Sequence, residues 1–242
     1  MKNEIIINDP KCLSYKEQEA EIGKRLRGSF VWMLFGIILS GISGFALYYL
    51  FEIKNPFAVE LMKFLLVLLI FQLVIGLLFS VLMYILPAFI LKIFFILYAI
   101  LSGTSFALIL MKYTPGSILT AFISTSIIFV VMAVYGCTTK RDMTKTGGIL
   151  LVGLITAFVV GLVNIWLHSS ILNTIISVAC IIIFSGFVAY DTKQIKRQIM
   201  VELELRNYGC FRRIEIIGAF SLYLDFVNLF INILNLTGKS KD

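Results

Sequence analysis

Long apolar runs separated by short polar segments are the dominant pattern of this chain. The first run is Ser29–Phe51, and the next covers residues 57–111, which is too long for one helix across a bilayer. A hydrocarbon core of about 30 Å needs about 20 apolar helical residues. We therefore expect residues 57–111 to form two spans that fold back at Tyr84–Pro87.

The second half of the chain repeats this pattern. One run covers Ser117–Cys137, a double-length run covers residues 147–190 with a polar break at His168-Ser169, and the last covers Ile214–Leu236. A helix is the only single segment that satisfies all the hydrogen bonds of its own backbone in lipid. The predicted fold class is an all-α integral membrane protein, a bundle of seven transmembrane helices.

This layout divides the chain into three segments. We expect a polar N-terminal arm over residues 1–28, a seven-span membrane domain over residues 29–236 and a short tail over residues 237–242. The arm has no apolar core of the signal-peptide type, so no cleaved leader is expected.

Composition favours a membrane protein over a soluble one. Of the 242 residues, 60% are hydrophobic and only 14% are charged, and the mean hydropathy is +0.97. A soluble domain of this length needs more polar surface to cover its core. The net charge of +7 is spread over separate loops rather than one soluble surface, so no nucleic-acid partner is expected.

Basic residues in the predicted loops indicate the orientation. Three, at positions 24, 25 and 27, directly flank the first span, three lie between spans four and five, and six lie in residues 192–213, against only Lys54, Lys63 and Lys112 in the loops of the other side. Because cytoplasmic loops carry the excess of Lys and Arg, we expect a cytoplasmic N-terminus. An odd number of spans then places the C-terminus outside, although Lys239 and Lys241 mildly oppose this. The compact loops favour a bacterial inner membrane.

The last predicted span carries a polar stripe. Its members recur at steps of three and four: Gly218, Ser221, Asp225, Asn228, Asn232 and Asn235. At 100° per residue they fall within about 100° of the helix surface. Lipid would leave such a stripe unsatisfied, so we expect this helix at the centre of the bundle. For Asn232 and Asn235 we favour hydrogen bonding between helices over a functional role.

Two aspartates stand where lipid tolerates a charge least. Asp225 lies near the middle of the last run, and Asp191 closes the run NTIISVACIIIFSGFVAYD. A carboxylate at the centre of a spanning helix costs about 2.5–3.5 kcal/mol on insertion scales, so its default interpretation is functional. We predict that the two aspartates are partners, supported by Ser221, Asn228 and Ser185.

Asp191 also has a structural interpretation, because it directly precedes the polar segment after span six and could be a solvated residue at a helix end. Ser185, Gly186 and Ala189 favour the functional one, since small residues let a neighbouring helix approach closely.

A carboxylate pair of this kind predicts proton and cation chemistry. Two carboxylates within hydrogen-bonding range cannot both ionise cheaply, so we expect them to share a proton. Without that proton, Asp191 and Asp225 offer hard oxygen ligands for Ca²⁺. So few ligands bind weakly, which suits a permeation site. Ca²⁺ is then a transported ion, and no cofactor is expected.

Enzymatic motifs are missing from the sequence. It has no GxSxG, no HExxH, no phosphate-binding glycine loop and a single histidine, so we expect no enzyme. Intramembrane aspartyl proteases also use two aspartates, but the contexts AYDT and YLDF do not match their GxGD-type motif.

Three segments add a more specific signal: YGCTTKRD at 135–142, FSGFVAYDT at 184–192 and SLYLDFVNLF at 221–230. In this order and spacing they resemble the Bax inhibitor-1 family, also called the TMBIM or lifeguard group, in its bacterial type. The resemblance covers residues 29–236. One departure is the turn FSVLMYILPA at 79–88, which lacks the arginine that many members carry there, so no arginine latch is carried over.

The resemblance implies a calcium leak channel or Ca²⁺/H⁺ exchanger that responds to pH, with Asp191 and Asp225 as the sensor. It also implies an alternative, because some bacterial relatives are linked to a membrane-bound ATP-dependent protease and eukaryotic ones protect against cell death. The protein would then be a non-transporting regulator of a membrane protease or of a stress or cell-death complex.

Overall fold

The computed structural model describes residues 15–56, 60, 63–83, 85–205 and 210–241. Residues 1–14 of the predicted N-terminal arm lie outside this range, as does Tyr84 of the predicted turn. Seven long helices follow one another in the described part: α1 Tyr15–Glu52, α2 Leu65–Leu82, α3 Ala88–Lys112, α4 Pro115–Thr138, α5 Thr144–Leu167, α6 Ser170–Glu204 and α7 Phe211–Thr237. The predicted all-helical class is confirmed.

Six of these helices, α1 and α3 to α7, are long and apolar enough to cross a membrane, counted over the described residues. The predicted second crossing falls on α2, which has 18 residues, several of them with side chains outside the described part. A multi-pass membrane protein is therefore confirmed, and the count of seven crossings stays a prediction.

Helix ends coincide with the predicted breaks. Pro115 occupies the first turn of α4, where its missing N–H would be unpaired in any case. His168 closes α5 in the left-handed conformation with a φ of 49°, which is typical of a helix C-terminus. The hydroxyl of Ser169 then accepts the Leu172 N–H at 3.3 Å, so Ser169 is the N-cap of α6.

Two helices extend further than the apolar runs predicted. α1 already begins at Tyr15, so the described half of the predicted polar arm is helical. α6 continues to Glu204, so residues 192–204 of the predicted connection are helical as well. The extensions are rich in Glu, Gln, Lys and Arg, which are good helix formers in water. The Glu21–Arg25 pair, with oxygen and nitrogen 2.6 Å apart, adds support one turn along α1.

α7 lies at the centre of the bundle, as its polar stripe predicted. It packs against α1, α3, α4 and α6, while α2 packs on α3 and α5 packs on α6. Close approach of α1 and α3 depends on small residues: a side chain at Gly36 would collide with Phe95, and one at Gly44 with the backbone of Gly103. These contacts agree with small-residue packing in membranes.

The two ends of the bundle differ. At one end, α1, α5 and α7 begin and α4 and α6 end, and Arg25 of α1 pairs with Glu215 of α7; we call this the basic end. At the opposite end, the chain after α7 returns along the α3–α4 turn, where the Lys241 N–H donates to the Lys112 carbonyl at 2.9 Å. The ammonium of Lys241 lies 5.1 Å from the centre of the Tyr48 ring. The start of α1 and the C-terminal tail are therefore at opposite ends.

Candidate functional site

A cavity of about 710 Å³ lies between α5, α6 and α7. Four of its lining residues are polar, namely Asp191 from α6 and Ser221, Asp225 and Asn228 from α7. The rest of its wall is apolar, with Leu154 and Phe158 of α5 facing Phe184 and Phe187 of α6. The two predicted aspartates therefore line one cavity together.

Asp225 is the more deeply buried of the two, with 5% of its surface exposed. Its position is set by α7, whose central location takes the middle of the helix away from lipid. Its Oδ2 atom is buried and accepts no hydrogen bond from any described residue. Buried polar atoms in native proteins nearly always have a partner, so this oxygen is a site at which a proton or a cation would be stabilised.

Asp191 is partly exposed and lies on the α6 surface that faces α7. Its carboxyl group is a hydrogen-bond partner of the Ser221 hydroxyl, and its charge acts on Asp225. Small residues two and five positions earlier on α6, Ala189 and Gly186, let the neighbouring helices approach: a side chain at Gly136 of α4 would strike the Ala189 backbone, and one at Gly186 would strike Leu150 of α5. The predicted close approach of helices near Asp191 is confirmed.

Neither carboxylate forms an ion pair with a basic side chain of the described residues. The salt bridges of the described residues involve Lys24, Arg25 and Lys63, and none reaches Asp191 or Asp225. The described residues that line the cavity include no Lys, Arg or His. Two acidic groups without a counter-ion in a largely apolar wall favour a bound proton or metal ion over double ionisation.

The remaining predicted polar residues fall into two groups. Asn228 lines the cavity and donates its amide to the Leu224 carbonyl at 2.8 Å, whereas Ser185 lies on α6 outside the cavity wall. Asn232 donates to the Asn228 carbonyl at 2.8 Å, and Asn235 accepts the Tyr113 hydroxyl at 3.0 Å. The Asn235 bond joins α7 to the end of α3, as predicted, whereas the Asn232 bond stays within α7, so the predicted bonding between helices is found only for Asn235 of these two.

The cavity could hold a metal ion only weakly. Among the described residues no group of three or more His, Cys, Asp or Glu side chains has the geometry of a metal site. A Ca²⁺ ion prefers six to eight oxygen ligands, and here two carboxylates, the Ser221 hydroxyl and the Asn228 carbonyl oxygen would have to be completed by water.

Sequence reasoning found the acids but not the apolar wall. Leu154, Phe184 and Phe187 are indistinguishable by type from lipid-facing residues of the same helices. Only the three-residue and four-residue spacing of Phe184, Phe187 and Asp191 along α6 could have indicated that they share a face.

Comparison with known proteins agrees with the three sequence segments. A family model described as "Inhibitor of apoptosis-promoting Bax1" matches residues 23–242. The chain belongs to the Bax inhibitor-1 family. The inner membrane protein YbhL of Escherichia coli is 32% identical over 236 residues, which cover 96% of this chain and 98% of YbhL. An uncharacterized protein of Borreliella burgdorferi is 38% identical over 151 residues, covering 61% of this chain and 63% of that protein.

In this Bax inhibitor-1 family member, the turn between α2 and α3 has no arginine of its own. A different arginine reaches this turn. Arg213, in the first turn of α7, donates from Nε to the Met83 carbonyl at 2.7 Å. The turn is thus tied to the central helix by a residue distant in sequence.

Proposed function

We propose that this Bax inhibitor-1 family protein is a pH-sensitive calcium leak channel or Ca²⁺/H⁺ exchanger whose ion and proton site is the pair Asp191 and Asp225. The main support is the Oδ2 atom of Asp225, which is buried in a membrane-spanning helix, faces a second carboxylate and accepts no hydrogen bond from a described residue. A charge in this position is costly unless a proton or cation compensates it.

The pH dependence follows from the shared site. When one proton is bound, the neutral carboxyl can donate a short hydrogen bond to its ionised partner and so join α6 to α7. Loss of that proton leaves two like charges facing each other across the helix contact. Either the helices separate or a cation enters, so protons and cations compete for Asp191 and Asp225.

Calcium is the cation favoured by the ligands. Carboxylate, hydroxyl and amide oxygens are the ligands that Ca²⁺ prefers, in a geometry flexible enough for a mobile helix pair. The small number of protein ligands implies low affinity, and a permeation site must release its ion.

The proposed location is the inner membrane, with seven crossings, a cytoplasmic N-terminus and the C-terminus outside. Two observations support it. Glu52 lies at the end of the bundle that holds the C-terminal tail, whereas Met83 lies beside Arg213 at the basic end. The chain therefore passes from one end of the bundle to the other between them, as an α2 crossing requires. The basic end carries most of the Lys and Arg residues, as cytoplasmic ends do.

Calcium uptake into proteoliposomes tests the proposed function. Purified protein is reconstituted into vesicles that contain a calcium-sensitive dye, and the initial rate is measured at two pH values. We expect uptake above that of empty vesicles, a rate that changes with pH, and loss of both properties in Asp225→Asn and Asp191→Asn.

The matched control is Asp142→Asn. Asp142 is an exposed acid in the turn between α4 and α5, so its removal changes the net charge equally and leaves the cavity intact. Monodisperse size-exclusion profiles would show that all three variants fold. Equal uptake by Asp225→Asn and the unmodified protein would contradict the assignment of the site.

The alternative, a non-transporting regulator of a membrane protease or stress complex, predicts uptake indistinguishable from that of empty vesicles at every pH. In that case the acid pair would have a structural role, and its asparagine variants would differ in stability rather than in flux. Neither function requires an enzymatic activity of this chain.

A further inference from the structure

One face of α7 connects the acid pair with the basic end. Asp225, Ser221, Gly218 and Glu215 follow one another at steps of four, three and three residues, which places them within about 120° of the helix surface. This face of α7 therefore extends from the cavity to the start of the helix.

Gly218 is the point on this face where α1 and α6 approach α7 together. A Cβ atom at Gly218 would lie 3.1 Å from the Ser29 hydroxyl oxygen and 2.6 Å from Cδ1 of Ile195. Thr192 lies one turn before Ile195 on the same side of α6 and directly follows Asp191. Ser29 therefore borders the α7 face, and Thr192 lies on α6 between Asp191 and the Ile195 side chain that touches this face.

Both hydroxyl groups are fully buried and make no hydrogen bond to a described residue. Many other Ser and Thr residues in these helices bond to the preceding turn. Thr125 donates to the Ala121 carbonyl at 2.7 Å, and Thr156 donates to the Val152 carbonyl at 2.9 Å. Such bonds to the preceding turn are the usual solution within a helix. A buried hydroxyl without such a hydrogen bond is available to water or to an ion that moves through the protein.

The face ends at a partly buried ion pair. Arg25 Nη1 and Glu215 Oε1 are 2.9 Å apart, and Arg25 also bonds to Glu21 and lies over the Phe211 ring at 5.0 Å. Glu215 packs over Gly28, where a Cβ atom would lie 3.0 Å from its carboxyl carbon. The pair thus joins α1 to α7 at the basic end.

We propose that Ser29 and Thr192 line a polar exit route from the acid pair to the basic end, and that the Glu215–Arg25 ion pair closes it. The route rests on the proposed function, since it gives the proton and cation of Asp191 and Asp225 a path to water. The hydroxyl oxygens replace part of the ion's hydration, and opening requires separation of Glu215 from Arg25.

Transport rates test the route in proteoliposomes. Thr192→Val keeps the shape of the side chain and removes the hydroxyl, and Thr125→Val is the matched control because Thr125 is equally buried but bonded within its own helix. We expect a rate about five- to tenfold lower for Thr192→Val, as loss of one solvating hydrogen bond of 1–1.5 kcal/mol implies. Glu215→Gln, which weakens the closure, should raise the rate. Equal rates for Thr192→Val and Thr125→Val would overturn the route.

Labelling with a water-soluble methanethiosulfonate reagent tests the route independently of transport. In a background without the four native cysteines, Thr192→Cys should react faster than Thr125→Cys, and faster again when combined with Glu215→Gln. Equal labelling of the two positions, with no effect of Glu215→Gln, would overturn the route even in a protein that transports calcium. Absence of calcium transport with fast labelling at position 192 would instead contradict the proposed function and leave a water-accessible route.

Discussion

Arg213 and Met83 are 130 positions apart in sequence and joined by a hydrogen bond of 2.7 Å, from the guanidinium Nε to the backbone carbonyl. The bond satisfies a carbonyl at the end of α2, where the helix leaves its last carbonyls without partners. It also fixes the start of the central helix α7 against the α2–α3 turn. A backbone acceptor needs no particular side chain in the turn, so the turn sequence gives no sign of this contact.

Removal of this guanidinium should destabilise the protein. We expect Arg213→Ala to lower the free energy of unfolding by about 1.5–3 kcal/mol, the usual range for a hydrogen bond to a charged group. Arg212→Ala is the control, because Arg212 is its exposed neighbour. Thermal unfolding in detergent should show a lower Tm for Arg213→Ala alone. Equal Tm values for the two variants would mean that the bond contributes nothing to stability.

Gly136 should not tolerate even a methyl group. A Cβ atom there would collide with the backbone carbonyl of Ala189, two residues before Asp191, and overpacking of this kind costs about 1–3 kcal/mol. Gly161, on α5, has no described atom within 4 Å of the same added carbon. Gly161→Ala should therefore be neutral or stabilising, since alanine favours a helix by up to about 1 kcal/mol.

Thermal unfolding of the two glycine variants checks this contrast, and calcium uptake shows whether separation of α4 from α6 also disturbs the acid pair. A Gly136→Ala variant as stable as the unmodified protein would contradict the close contact at Ala189.

The helices and the two acidic residues could be predicted from the sequence, for physical reasons that apply to particular residues. His168-Ser169 and Pro115 interrupt apolar runs, and only a helix end accommodates them at low cost. The stripe that includes Asp225 cannot face lipid, so the central position of α7 follows from its composition.

Other features depend on three-dimensional contacts that produce no pattern in the amino-acid sequence. Thr192 and Ser29 resemble any hydroxyl residue of a membrane helix until their missing bonds to the preceding turn are seen. The extension of α6 to Glu204 was missed because the apolar run ends at the membrane surface, whereas the polar residues beyond it still favour a helix. The cavity wall of α5 was missed because its residues are as apolar as those that face lipid.

Tyr223 provides a test of the packing around α7. Its hydroxyl shares a hydrogen bond of 2.7 Å with the Ser40 hydroxyl, which also contacts the Ala99 carbonyl at 2.8 Å. Because Ser40 keeps other partners, we expect Tyr223→Phe to cost only about 0.5–1.5 kcal/mol. Tyr135→Phe, at an exposed position, should cost nothing. A Tm loss of equal size in both variants would show that the bond to Ser40 has no special role.

The turn between α4 and α5 should show a pH-dependent contribution to stability. Asp142 accepts the Thr144 hydroxyl at 2.7 Å and the Thr144 N–H at 3.0 Å, and these bonds lower the pKa of its carboxyl group. A lowered pKa in the folded state means that the stabilisation is present above the ordinary value near 4 and is lost as the pH falls through the folded-state value. The Tm difference between the unmodified protein and Asp142→Asn should therefore shrink on acidification. A difference that grows at low pH would contradict this sign.

Infrared difference spectroscopy of the carboxyl groups measures the exchange of proton and calcium at Asp191 and Asp225 most directly. At a pH where the shared proton is bound, we expect a protonated-carboxyl C=O band that disappears when Ca²⁺ is added. The band should be absent from Asp225→Asn and unchanged in Asp142→Asn. If both carboxylates were ionised throughout the stable pH range, or if the band did not respond to Ca²⁺, the two aspartates would not form a common site for protons and calcium.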